Sequence, residues 1–140
     1  MAGAIYDAAH DSNIAQSVQC LSHAVSTVTG TAVDLTGFDE AIILFQAGTA
    51  GTSATVDVKV TESATTGGTY TDVPSAAFPT VTTGNDEVLR VGRIALGPAR
   101  KPFLKGVVTV GTAASIAGVT IIGSGKRTVG NISNSFSFDV

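Results

Sequence analysis

Tryptophan is absent, and a single cysteine, Cys20, occurs in 140 residues. A lone thiol excludes an intrachain disulfide and any zinc site built from several cysteines. Among apolar neighbours such a residue is expected to be a small buried hydrophobe. Charge is scarce too: Asp, Glu, Lys and Arg make up 14% of the chain, where about 25% is usual in soluble domains. The formal net charge is −3, which gives no basic footprint for nucleic acid. Arg90, Arg93, Arg100, Lys101 and Lys105 gather in one stretch and read as the solvated side of strands. Aromatic residues are too few to interleave with them as a base-stacking platform. The apolar run at residues 41–45 is far too short to span a bilayer, so no membrane partner is expected. The first residues lack a basic start followed by a long apolar run. No secretory signal is therefore expected, and synthesis in a reducing cytoplasm is.

The residues of catalysis are equally thin. His10 and His23 are the two histidines; His10 reads as a solvated side chain and His23 as an ordinary, partly exposed one in a strand. His10 with Asp7 and Asp11 is the one local cluster of ligand types, and its spacing fits no metal loop. Residues 122–128, IGSGKRT, have the look of a phosphate loop. That motif needs Gly where Thr120 stands and Ser or Thr where Arg127 stands, so the segment reads as a turn after a strand. Gly48, Gly51, Gly67 and Gly68 read as turn glycines supplying positive φ. No G-x-S-x-G elbow occurs. The expectation is a protein that is not an enzyme, with no catalytic, cofactor-binding or metal-binding residues and no cofactor.

What the chain has in quantity is Val, Ala, Gly, Ser and Thr. One domain fits this length. A surface made of small neutral residues repels its neighbours weakly, so much of it is expected to meet other protein.

Along the chain, residues 54–61 alternate Ala54, Val56, Val58, Val60 with Thr55, Asp57, Lys59, Thr61. That period of two gives a half-buried strand with its valines inward. Residues 40–47, EAIILFQA, form a continuous apolar run, as for a strand buried on both faces. Residues 18–28 read as a strand, 31–35 as a short strand ended by Gly37, and 48–53 as a loop. Residues 69–73 return from 54–61 as a hairpin, while 74–85 are irregular around Pro74 and Pro79. Residues 87–96 are strand-like, and 103–110 with 115–123 read as a second hairpin. The sum is an all-β, single-domain antiparallel β-sandwich, jelly-roll-like, of about eight strands. The expected division is an N-terminal arm at 1–17, the sandwich at 18–125 and a C-terminal strand or arm at 126–140.

Four stretches together carry a resemblance. They are Val33-Asp34-Leu35-Thr36-Gly37-Phe38, residues 41–47 followed by Gly48-Thr49, residues 56–62 (VDVKVTE) and residues 69–73 (TYTDV). Over about residues 31–75 the chain resembles small β-rich structural proteins of tailed-phage morphogenesis modules, which include capsid cement (decoration) proteins. Residues 100–110 resemble the later part of that pattern loosely, with Lys105 where an arginine is usual. The resemblance implies a virion protein on the capsid surface. Its partner would be the major capsid protein, and it would work as a homo-oligomer, a trimer being favoured. It carries no catalytic residues across, and it does not separate head proteins from tail or neck components. A carbohydrate-binding adhesion domain is a further alternative, poorly supplied with aromatics. Ile5 and Tyr6 in the N-terminal arm and Phe136 and Phe138 in the C-terminal one are the expected contact anchors, the alternative being that they cap the domain's own core.

Overall fold

In a computed structural model, residues 12–126 are described, and among them all regular structure is β. Ten strand segments follow one another: β1 (Asn13–His23), β2 (Ser26–Thr29), β3 (Val33–Asp34), β4 (Phe38–Ala50), β5 (Thr55–Ser63), β6 (Thr71–Ala77), β7 (Val81–Thr82), β8 (Val88–Ala95), β9 (Phe103–Gly111) and β10 (Ser115–Lys126). All pairings are antiparallel. One sheet runs β1-β10-β4-β8; the other runs β2-β9-β5-β6, with β3 also on β9 and β7 also on β5. Because β2 and β3 share one partner, and β6 and β7 share another, ten segments trace eight strand paths. Numbered in chain order, those paths run 1-8-3-6 and 2-7-4-5, the order of a jelly roll built from two Greek keys.

The core lies between the sheets. The alternation read from residues 54–61 is realised in β5: Val56, Val58 and Val60 point inward and are buried. They sit in register with Val110, Val108 and Gly106 of β9. Ile43 and Phe45 of β4, Val119 and Ile121 of β10 and Val18 of β1 meet them from the other sheet. Each such side chain contributes roughly 1.5–3 kcal/mol by leaving water. Where the sheets approach most closely, Gly106 faces Val119: a Cβ at Gly106 would lie 2.9 Å from a Val119 methyl carbon. Ser17 ties the layers at the same level. Its hydroxyl donates to the Thr31 carbonyl at 2.8 Å and accepts from the Gly106 amide at 2.9 Å.

Several expectations are corrected. Residues 13–17 belong to β1, so the arm read at 1–17 gives way to strand from Asn13, and residues 18–28 divide between two strands in opposite sheets. The second hairpin does not form: β9 and β10 lie in different sheets. The connection between them holds Thr112 at φ 69°, and it turns the chain across the sandwich instead of back along the same sheet. β4 runs on to Ala50, which puts Gly48 in a strand, and β10 carries the would-be turn at 122–126 as strand. Among the described glycines, positive φ falls on Gly37 and Gly125; Gly48, Gly51, Gly67 and Gly68 do not have it. The strained position in the loop after β4 is Ser53, at φ 58°. Pro74 is tolerated in β6 because that strand is an edge, bulged between Thr71 and Ala77.

Candidate functional site

The two outer faces of the sandwich differ in chemistry. On the six-stranded sheet the outward positions are mostly polar, Val107 and Phe103 being apolar exceptions. The Thr27 and Thr109 hydroxyls meet across β2 and β9 at 3.2 Å. Lys59 pairs with Asp72 at 2.9 Å, and Thr80 donates to Asp57. The Lys105 ammonium stands 4.1 Å from the centre of the Tyr70 ring. Burial pushes the Tyr70 phenol above its ordinary value.

The outer face of the four-stranded sheet is richer in aliphatic side chains. Ile43 and Phe45 point into the core, so Ile42 and Leu44 point out. Register places Ile14, Ile122 and Ile42 side by side across β1, β10 and β4, with Thr120, Leu44 and Val91 in the next outward row. Leu89 continues the face beside Gln46, and Ile116 lies over Gly48. Leu89 and Val91 are 62% and 63% exposed. At one end of the face Arg93 pairs with Glu40. Gln16, Thr120, Gln46 and Arg93 interrupt these aliphatics, which nonetheless recur on all four strands. Single exposed apolar residues are normal on a monomer; a cluster spread over four strands is a candidate contact surface.

This face corrects the reading of residues 40–47. One side of β4 is buried in the core and the other is only half covered, by neighbours within its own sheet. Cys20 is corrected also: it is exposed, in the irregular part of edge strand β1, packed over Gly118, where a Cβ would come within 2.6 Å of its own. His23 is buried instead of partly exposed. Its Nε2–H donates to the Gln19 and Ala117 carbonyls, both at 3.0 Å; carbonyls only accept, which fixes the proton on Nε2. Of the five cations read as solvated, Arg90 turns inward opposite Phe45, and its Nε is buried with no hydrogen-bond partner. Arg100 pairs with the buried Glu62 at 3.4 Å, and the Lys101 amide donates to the same carboxylate at 3.1 Å.

Ile5, Tyr6, Phe136 and Phe138 lie outside the described residues, as do His10, Asp7 and Asp11. Among the described residues no three His, Cys, Asp or Glu side chains are placed to hold a metal ion. The outward residues Ile14, Ile42, Leu44, Leu89, Val91, Ile116 and Ile122 were not singled out by sequence. Their one local signal is in VLRVGRI, where arginines alternate with aliphatics and either set could face the core.

No family model and no curated protein matches the chain. Solved structures with a similar fold include the PBSX exported protein XepA. It aligns at TM-score 0.58 and 14% identity over 98% of this chain and 46% of that one. VP2 of infectious bursal disease virus, from a subviral particle, aligns at TM-score 0.55 and 14% identity over 83% of this chain and 33% of that one. The chain thus spans less than half the length of either neighbour, and the likeness is one of fold.

Proposed function

We propose that the chain is a structural protein of a virus particle, a cement (decoration) protein that binds the outside of a tailed-phage head. It meets the major capsid protein through the outer face of its four-stranded sheet and stabilises contacts between capsid subunits without doing chemistry. The observation that carries this reading is the cluster of aliphatic side chains on the outer face of that sheet, next to a second sheet whose exterior is mostly polar. The jelly-roll order supports it, since this architecture serves in viral capsids. So does the fold shared with a protein of a subviral particle. The chain motif that resembles tailed-phage structural proteins points the same way.

Such a protein works by linkage. It binds where several shell subunits meet, so its binding free energy is added to that of the assembled shell. A trimer seated on a symmetric junction engages several sites at once and gains avidity from weak single contacts. The test is to image particles carrying a labelled copy of the chain by electron microscopy. Label on the head at a fixed copy ratio is expected. Label on the tail or neck would replace the cement role by a tail role, and particles without label would overturn both.

A further inference from the structure

Strand β1 joins its sheet irregularly. Gln16 lies opposite Thr120, Val18 opposite Val119 and Leu21 opposite Ala117, so five residue steps along β1 answer three along β10. The extra residues form bulges, which bend a strand and re-aim its side chains. Gly118 shows where the second bulge goes. Its neighbours Ala117 and Val119 are both 0% exposed, in the core, so the direction of its missing Cβ is outward. A Cβ there would lie 2.6 Å from the Cys20 Cβ, 2.7 Å from the Cys20 Cα and 3.0 Å from the Cys20 amide nitrogen. The main chain of β1 therefore leans over β10 on the outer face of the sheet, in the row that holds Gln46 and Leu89. No residue with a side chain could stand beneath it.

One side chain bridges the crossing. The register passes over Gln19 and Cys20, and the Nε2–H of His23 donates to the Gln19 carbonyl and to the Ala117 carbonyl, both at 3.0 Å. Gln19 is the residue before Cys20, and Ala117 is the residue before Gly118. A buried imidazole thus ties the two chains together next to the point where they touch, and fixes how far the bulge stands above the sheet. Without that donor two carbonyls lose a partner, and nothing else at the crossing selects the bulged register over a regular one.

We infer that the bulge at Gln19 and Cys20 is a ridge of the shell-contact face and that His23 is its positioning residue. This rests on the reading that the outer face of the four-stranded sheet meets the shell. A flat aliphatic patch can turn or slide on its partner. A ridge at one side fits only a surface with a matching groove, and so fixes one orientation of the bound chain. Gln19, Cys20 and Gly118 bring no Asp, Glu, Lys or Arg to the ridge, so the groove that receives it is expected to be uncharged.

Cys20 is the chain's one cysteine and is exposed, so its thiol reports on the ridge without any substitution. N-ethylmaleimide should alkylate the unaltered chain at least about tenfold more slowly when it is bound to shells than when it is free. His23→Ala should weaken cosedimentation with shells by about tenfold, and His23→Gln, which keeps an N–H donor, should recover part of the loss. Equal alkylation free and bound, with Leu89→Thr and Val91→Thr together still weakening binding, would overturn the ridge and leave the face reading standing. Binding untouched by that pair would remove the face reading and the ridge with it. Full binding by a folded His23→Ala chain would overturn the positioning role. If His23→Ala fails to fold, alkylation of the unaltered chain still decides whether the ridge is in contact.

Discussion

Replacing Leu89 and Val91 together by threonine tests the outer face with little disturbance to the fold. Both side chains are more than three-fifths exposed in the isolated chain, so little core packing is lost. Threonine keeps strand preference at an edge position. Stability should change by less than about 1 kcal/mol. In a complex, full burial of an aliphatic side chain is worth roughly 1.5–3 kcal/mol, of which the exposed three-fifths is still available. Threonine forfeits most of that and brings a hydroxyl to be desolvated. About 1–2 kcal/mol per site, or 2–4 kcal/mol for the pair, corresponds to roughly a 30- to 700-fold loss of affinity. Threonine adds no charge, so the loss reports apolar contact and not electrostatics. The assay is cosedimentation of purified protein with shells stripped of it, across a range of concentrations. Thr27→Val with Thr109→Val, on the polar face, is the control and should bind as the unaltered chain does. If the Leu89/Val91 variant binds shells as tightly as the parent, the outer face is not the contact surface.

Ser17→Ala strands the Gly106 amide and the Thr31 carbonyl. At about 1–2 kcal/mol per orphaned group it should lower stability by roughly 2–4 kcal/mol in urea unfolding. Gly106→Ala should cost about 1–3 kcal/mol by overpacking Val119. Part of that cost should be recovered when Val119→Ala is combined with it, which a double-mutant cycle reads directly. Tyr70 has a folded-state pKa above its unfolded value of about 10. The native state therefore holds the proton longer, and the contribution is intact below pH ~10 and is lost as pH rises through the folded value. Tyr70→Phe should remove that share of the alkaline decline in thermal stability.

Sequence made the sandwich legible where polarity and period agree. In β5, Val56, Val58 and Val60 against Asp57 and Lys59 leave no doubt which side is the core. It failed where two kinds of burial look alike. Ile42 and Leu44 are as apolar as Ile43 and Phe45, and no local property of residues 40–47 tells a side chain buried in the core from one waiting for a partner. Arg90 and Val91 show the same ambiguity reversed, with the cation inward and the aliphatic outward, because β8 is an edge strand bordering an open cleft. Partner choice among strands was hidden for another reason. The few residues between β9 and β10 suit a hairpin in length; the crossing to the other sheet is decided by the strands already flanking each site, β5 for one and β1 and β4 for the other. Cys20 read as buried because its neighbours are apolar, and the irregular register of β1 turned it out to solvent.

We propose that this weakly charged jelly roll lodges on a protein shell through the aliphatic cluster on the outside of its four-stranded sheet. The most direct test is electron microscopy of particles reconstituted with the chain at a resolution that shows strands. Density is expected on the head surface, with Leu44, Val91 and Ile122 against capsid subunits and the Lys59–Asp72 face turned to solvent. Particles in which the polar sheet is seated on the shell and the apolar one is left bare would contradict it.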